Sequence, residues 1–495
     1  MRRSSFARLL VAAFAAFVAP RAAAEHWAVI VAGSRGYENY RHQSDACHAY
    51  HVVRRHGIPK ENVILMMYDD VAADGDNPFP GQLFNRPAGG PADQPAVDVY
   101  KGCEPEYTGD AVTPEMFVNV LLGNASATGG RRVLESSAHD RVFVNFVDHG
   151  ARGLVVFPHG EELSAKTLAR ALEQMHAARK YKELVFYMEA CESGSMFSSR
   201  FLKKINAFAT TAANGLESSW GTYCPPADVV NGKALGTCLG DLYSVNWMED
   251  SDLTDLSAES LTEQFKRVKK ATNKSHVHQF GAPTIPKEIV GNFQSNYDAG
   301  DSGAGESGAA VVHAEQQPRT PAAATASSSA VDAHDIDLVL AFYKYLRAPS
   351  GPARRALADS LVDRVRARES DDAVFEKIRT LYAARTNQAL LEPTSEPQDF
   401  ECHEQAWRAF EARCGRAAGR HGGDPDIGRG FTSYSLKYAG VLVDLCENGV
   451  SAAQIDAILK DACAPPAPAP QMVAAPKRNF AEDTAVFDPE LILLG

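Results

Sequence analysis

From His26 to about Tyr297, short apolar, β-branched runs alternate with stretches whose apolar residues recur every three or four positions. The runs at 27–32, 62–68, 141–147, 183–188 and 205–210 predict strands. The periodic stretches at 44–56, 114–122, 164–179 and 194–201 predict helices. Strands that alternate with helices build βαβ units and a parallel sheet. Both faces of such a sheet are covered, so its strands read as unbroken apolar runs. The predicted class is α/β. Residues 69–107, rich in Gly, Pro, Asp and Asn, read as a long surface loop of the kind that often carries function.

The pattern changes after Tyr297. Residues 298–333 are mostly Ala, Gly, Ser, Gln and Pro without an apolar period, and predict a flexible linker. Helical spacing then returns at 335–346, 353–367, 372–385, 403–414, 432–447 and 452–463, which predicts an all-α bundle. Residues 464–495 form an Ala/Pro-rich tail without periodicity. At the other end, Arg2 and Arg3 precede an apolar stretch at 9–18 and then three alanines at 22–24. That order is the grammar of a secretory signal peptide cut after Ala24, and the stretch is too short to span a bilayer. The expected division is 1–24 signal peptide, 25–297 α/β domain, 298–333 linker, 334–463 helical domain and 464–495 disordered tail.

A chain of 495 residues exceeds what one core fills, in keeping with two domains. Its formal charge of −12 and the lack of a basic patch argue against a nucleic-acid partner. No second apolar run of spanning length predicts a membrane partner. Entry into the secretory path permits disulfides, and nine cysteines leave at least one thiol unpaired. Asn124 and Asn273 begin Asn-x-Ser sequons and are candidate glycosylation sites.

Asp148-His149-Gly150 and Glu189-Ala190-Cys191 each close a predicted strand. In open α/β sheets the reactive crevice lies beyond the carboxyl ends of the strands. Two such ends can therefore bring an imidazole and a thiol within reach of each other, as a thiolate nucleophile and its base require. Cys191 would attack a carbonyl carbon, His149 would act as base, and the amides of Gly150 and Cys191 would hold the oxyanion. The helix expected from Gly194 would lower the thiol pKa. For any single cysteine the alternative is a buried structural thiol, and it is His149 at a second strand end that tells against it. This chemistry needs no cofactor and no metal.

The segments H-W-A-V-I-V-A-G-S (26–34), E-N-Y-R-H-Q-S-D-A-C-H-A-Y (38–50), M-M-Y-D-D (66–70) and N-P-F-P-G (77–81) resemble the legumain family. So do V-D-H-G (147–150), F-Y-M-E-A-C-E-S-G-S-M-F (186–197) and Y-S-V-N-W-M-E-D-S-D (243–252). These are the asparaginyl endopeptidases, called vacuolar processing enzymes in plants. The segment S-S-W-G-T-Y-C-P (218–225) is nearer the plant branch. The resemblance implies a caspase-like α/β peptidase domain followed by a helical prodomain. It also implies that Asn39 orients His149, and that Arg41, His42, Glu189, Ser219 and Asp241 form a pocket for Asn.

Substrate chemistry agrees with that pocket. An Asn side chain offers one acceptor and two donors, so its site must supply both. Arg41 can donate, while Glu189 and Asp241 can accept. The alternative is a structural ion-pair cluster. A pocket acid that becomes protonated would also admit Asp, at acidic pH.

The resemblance further implies the pairs Cys402–Cys446, Cys414–Cys463 and Cys224–Cys238. Cys47 reads as a small buried apolar residue, with a bond to Cys103 left open. Protein and peptide substrates with exposed Asn, and the chain's own C-terminal domain as inhibitor, are the implied partners, with a zymogen homodimer as a further one. Autoactivation at acid pH would cut at Asn292, Asn296, Asp298 or Asp301. Vacuole or lysosome is the implied destination, with secretion as the alternative. Other readings are a peptide asparaginyl ligase, a lipid-anchor transamidase subunit and a binding protein on an inert scaffold. The transamidase has a membrane anchor and no helical prodomain, the reverse of this chain, and the inert scaffold predicts loss of His149 or Cys191.

Overall fold

Six strands pair in the order His278–Gly281, Ala207–Thr211, Glu183–Glu189, Arg141–Val147, His26–Ala32, Val63–Met66. All neighbours run parallel except the antiparallel edge pair of His278–Gly281 with Ala207–Thr211. The structure is a computed structural model that describes residues 24–88, 95–297, 326–391, 399–415 and 430–464. The expected signal peptide, most of the linker and nearly all of the tail lie outside these residues.

Every residue of Arg141–Val147 and Glu183–Glu189 is buried, which explains their unbroken apolar character. Side chains alternate between two cores. Ala28, Ile30, Phe143, Val185 and Tyr187 face one core, which includes residues of helices Tyr40–Arg55 and Leu242–Leu253. Val29, Val31, Val142, Val144, Phe146, Phe186 and Met188 face the other, with helices Pro114–Leu122 and Ala165–Ala177. The predicted α/β class is what the sheet shows. The edge strand His278–Gly281, with no buried residue, carries too weak an apolar signal to be foreseen.

Helix Tyr40–Arg55 begins four residues before the expected start at Ser44. Arg41, His42 and Gln43 are polar yet buried, so apolar periodicity could not include them. The stretch 194–201 is not one helix either. A single 3-10 turn, Ser193–Met196, is followed by the short helix Ser199–Lys204.

The C-terminal part is helical, with helices Ile336–Arg347, Pro352–Thr386, Phe400–Cys414, Ala439–Glu447 and Ala452–Ala462. The two helices expected at 353–367 and 372–385 are one. The helix runs on through the polar stretch 368–372, where Thr432 donates to Asp371 and the hydroxyls of Tyr434 and Tyr438 donate to Asp372 at 2.8 Å each. Thr432–Glu447 likewise resolves into a 3-10 turn, Ser435–Tyr438, and helix Ala439–Glu447. Phe375, Phe410 and Phe431 stack at the centre of this part, with Phe410 and Phe431 centroids 4.5 Å apart. The same core takes in Ala151, Leu154 and Val156, from the hairpin that follows His149. The helical part is thus docked beside one of the two strand ends that carry the candidate chemistry.

Four disulfides are formed: Cys47–Cys103, Cys224–Cys238, Cys402–Cys446 and Cys414–Cys463. Cys47 is therefore not a free apolar residue. It ties helix Tyr40–Arg55 to the long loop across 56 positions, the bond that the sequence left open. Closing a loop of that length restricts the unfolded chain by about 4 kcal/mol. The Cys47→Ala/Cys103→Ser variant should lose up to about that much stability. A guanidinium midpoint unchanged from wild type, with the other disulfides intact by mass, would contradict this.

Candidate active site

The in-register pairing of Val147 with Glu189 sets Asp148-His149 and Ala190-Cys191 side by side beyond the sheet. The Asp148 amide donates to the Glu189 carbonyl at 3.1 Å, which carries the pairing one step further. Gly150 then presses against the other strand end. A Cβ built there would lie 2.5 Å from the Cys191 carbonyl oxygen and 2.9 Å from Ala190 Cβ, so only glycine fits.

His149 is buried, with Nε2 2.8 Å from Asn39 Oδ1. Asn39 Nδ2 donates to the Arg35 carbonyl, which fixes the amide so that its oxygen faces the ring. An accepting oxygen at Nε2 places the ring proton there and leaves Nδ1 as the basic nitrogen. Burial holds the His149 pKa well below the usual imidazole value, and the Arg41 charge acts the same way. His149 is therefore neutral. His42 packs edge-on against it at 5.1 Å and is held neutral by the same two causes.

Cys191 is the only unpaired cysteine among the described residues and is buried. Its sulfur accepts from the Ser219 amide at 3.3 Å, with Ser219 Oγ 3.6 Å away. Burial pushes the thiol pKa well up, and the nearby Glu192 and Asp332 carboxylates add to the shift. This corrects the expectation of a thiol lowered by a helix start. The 3-10 turn is too short to supply a dipole, and Asp332 comes near only through the fold of a distant segment. Glu192 itself sits in the left-handed region, φ 48°, a strained conformation for a side chain of its kind.

The pocket residues converge. Arg41 Nε donates to Asp241 Oδ1 at 3.0 Å. Glu189 Oε2 accepts from both the amide and the hydroxyl of Ser244 at 2.9 Å. Glu189 Oε1 and Asp241 Oδ2 are buried without a hydrogen-bond partner, and His42 Nε2 lies 3.5 Å from the latter. Burial raises the pKa of Glu189 and of Asp241. Asp241 raises Glu189 further, while Arg41 opposes the shift at both.

Two residues here were not foreseen. Asp45 accepts from the Asp241 amide at 3.0 Å and from Asn85 at 2.6 Å, and so shapes the pocket floor. It follows Arg41 by four on one helix, and that spacing was a readable signal. Ser244 was the other, lying in a quoted motif without an assigned role.

The last described part of the linker is ordered, against expectation. Val331–Asp332 pairs antiparallel with Trp220–Thr222, and the Ala333 amide donates to the Ser219 carbonyl at 3.0 Å. Ile336 packs over Gly221 beside Arg41, and Ala333 and Ile336 share an apolar cluster with Cys191. The residues expected at the linker's end thus lie across the site. Of the cleavage candidates, Asn292 is buried in a helical turn and bonds Glu288, which no extended-chain peptidase could reach. Asn296 is exposed, while Asp298 and Asp301 lie outside the described residues. Asn124 and Asn273 are both exposed.

Residues 26–296 match the Peptidase C13 family, and residues 359–463 match the legumain prodomain. The chain belongs to the peptidase C13 family. It is 37% identical over 451 residues to the vacuolar-processing enzyme delta-isozyme of Arabidopsis thaliana, covering 88% of this chain and 90% of that one. Human legumain is 38% identical over 433 residues, covering 86% and 90%. Identity to plant and animal C13 relatives is level, so the lean toward the plant branch rests on the 218–225 segment. This C13 protein is a cysteine peptidase with a C-terminal prodomain.

A raised Glu189 pKa has a stability consequence with a definite sign. The folded peptidase keeps the Glu189 proton above about pH 4.3, where the unfolded chain has released it, so stability is lost as pH rises from there. Glu189→Gln removes that titration. In a Cys191→Ala background, which prevents self-cleavage, its Tm should fall less than the parent's between about pH 4.5 and pH 7. Parallel Tm profiles would refute the assignment.

Proposed function

We propose that the chain is an asparaginyl endopeptidase made as a zymogen and activated at acid pH. One observation carries the specificity. Two buried carboxylate oxygens, on Glu189 and Asp241, lack hydrogen-bond donors and flank the Arg41 guanidinium. The two N–H groups of an Asn amide match those acceptors, and its carbonyl matches the guanidinium. A site built for such an amide rejects side chains that leave its buried polar groups unpaired.

In the proposed reaction, neutral His149 takes the Cys191 proton at Nδ1 while Asn39 holds the ring by Nε2–H. The thiolate attacks the backbone carbonyl carbon of the Asn residue, and the Gly150 and Cys191 amides receive the oxyanion. His149 then protonates the leaving amine as the C–N bond breaks. Water, deprotonated by His149, hydrolyses the thioester.

The covering segment supports latency. Arg347 of the C-terminal part bonds buried Asp228 through both nitrogens, at 2.6 and 2.8 Å. Arg152 meets Asp444 at 2.6 Å with both side chains buried, and Arg364 reaches Glu38 at 3.1 Å. Protonating the acidic partner removes such a pair, which would let acidification release the segment. Exposed Asn296 is the cleavage site favoured by accessibility. A vacuolar or lysosomal destination fits acid activation.

The deciding experiment mixes acid-treated protein with a peptide holding one Asn and one Asp, read by mass spectrometry. Cleavage after Asn is expected, and its loss, with loss of self-processing, in Cys191→Ala and in His149→Ala. Cleavage unchanged in Cys191→Ala would overturn the reading, and transfer of the acyl fragment to an added amine would favour a ligase. Glu189→Gln should cut kcat/KM for Asn by roughly 10–100-fold and raise the Asp-to-Asn ratio. Asp444→Asn leaves Arg152 short of its charge partner, and should move self-processing to a higher pH than in wild type. An unshifted onset would show the pair to be irrelevant to release.

A further inference from the structure

Beside the nucleophile, a second chemical grouping uses atoms the proposed reaction does not. Cys191 Sγ, a Glu192 carboxylate oxygen and a His334 ring nitrogen all lie within 4.8 Å of one another, and all three residues are buried. Glu192 Oε2 and His334 Nε2 make no hydrogen bond, and neither residue is more than 8% exposed. His334 Nδ1 is spoken for: Ser218 Oγ lies 2.8 Å away and Asp332 Oδ1 3.5 Å away. A ring that gives its Nδ1 proton to oxygen partners turns the Nε2 lone pair toward the cluster. This carboxylate-backed imidazole is the arrangement that orients metal-ligating histidines. The sulfur already accepts a backbone N–H from Ser219 at 3.3 Å.

We propose that a zinc ion binds Cys191, Glu192 and His334, bridging the peptidase domain to the segment that covers it. One sulfur, one nitrogen and one oxygen donor make a set typical of zinc, with a fourth position open to water. Zinc bond lengths of about 2.0–2.3 Å put tetrahedral ligand atoms about 3.3–3.5 Å apart, so the side chains must draw in by roughly 1 Å. Charge argues the same way. Glu192 lies near Asp332 and Glu217, the latter paired with His276 at 2.7 Å, and the opposing cation Arg152 is engaged by Asp444. A dication would balance that excess and hold the thiolate as a ligand.

The consequence is a latch made of the nucleophile itself. Zinc would block Cys191 and pin residues 331–336 at one stroke, and it would lose a ligand once that segment left. Binding does not depend on the peptidase reading, so the two can fail separately.

The test uses the full-length zymogen, stripped with a chelator and titrated with zinc at neutral pH against a chromophoric competitor. One equivalent should bind, with the affinity weakened at least about 100-fold in His334→Ala and in Cys191→Ser. Ser218→Ala, which leaves all three ligands in place, should weaken it roughly 10-fold and guards against misfolding of the other variants. Cobalt in place of zinc should give a sulfur-to-metal charge-transfer band that Cys191→Ser lacks, while calcium should not compete. Equal zinc affinity in wild type and His334→Ala, or a cobalt complex without the sulfur band, would overturn the proposal. Self-processing slowed by zinc and restored by chelator would tie the site to latency, and binding without that effect would refute the latch.

Discussion

The parallel pairing of Arg141–Val147 with Glu183–Glu189, in register to the last residue, is the constraint on which the site depends. Because Val147 faces Glu189, the next two residues of each strand emerge together. A slip of one position would turn every side chain to the other face of the sheet and separate the imidazole from the thiol. Two cores, one on each face, hold that register, since each strand contributes alternate residues to both. The third partner, Asn39, comes from the turn that opens helix Tyr40–Arg55, and the same helix supplies Arg41, His42 and Asp45. One strand pair and one helix therefore fix most of the chemistry.

Burial then sets the electrostatics. The pocket gathers Asp45, Glu189 and Asp241 around a single guanidinium, so the carboxyl groups resist ionisation. The thiol behaves likewise, with Asp332 delivered by the covering segment. The structure thus describes a covered state in which burial favours the Cys191 thiol over its thiolate and the neutral His149 ring over its cation. Both the fold of segment 331–336 and the charges it brings work against reactivity, which is the physical content of latency here.

Apolar periodicity revealed the central sheet and most helices because those elements are buried the way their patterns say. It failed where polar residues are buried, as in Tyr40–Gln43, and where a helix runs on through Asp371 and Asp372, which find a threonine and two tyrosine donors. His149, Cys191 and the pocket residues were readable because each sits at a strand end or in a motif whose chemistry is recognisable. His334 and Asp332 were not, and the Cys47–Cys103 bond was left open. Each depends on a contact between distant parts of the chain, and a linker rich in Ala and Ser gives no sign that its last residues will add a strand. The pKa of Cys191 was misread for the same reason.

The hairpin that follows His149 belongs to two bodies at once. Its backbone extends from the sheet, while Ala151, Leu154 and Val156 complete the core of the helical part. Loss of that part would leave three apolar side chains facing water next to the base. A form lacking the helical part would carry that apolar patch bare beside His149, and with it a tendency to self-associate.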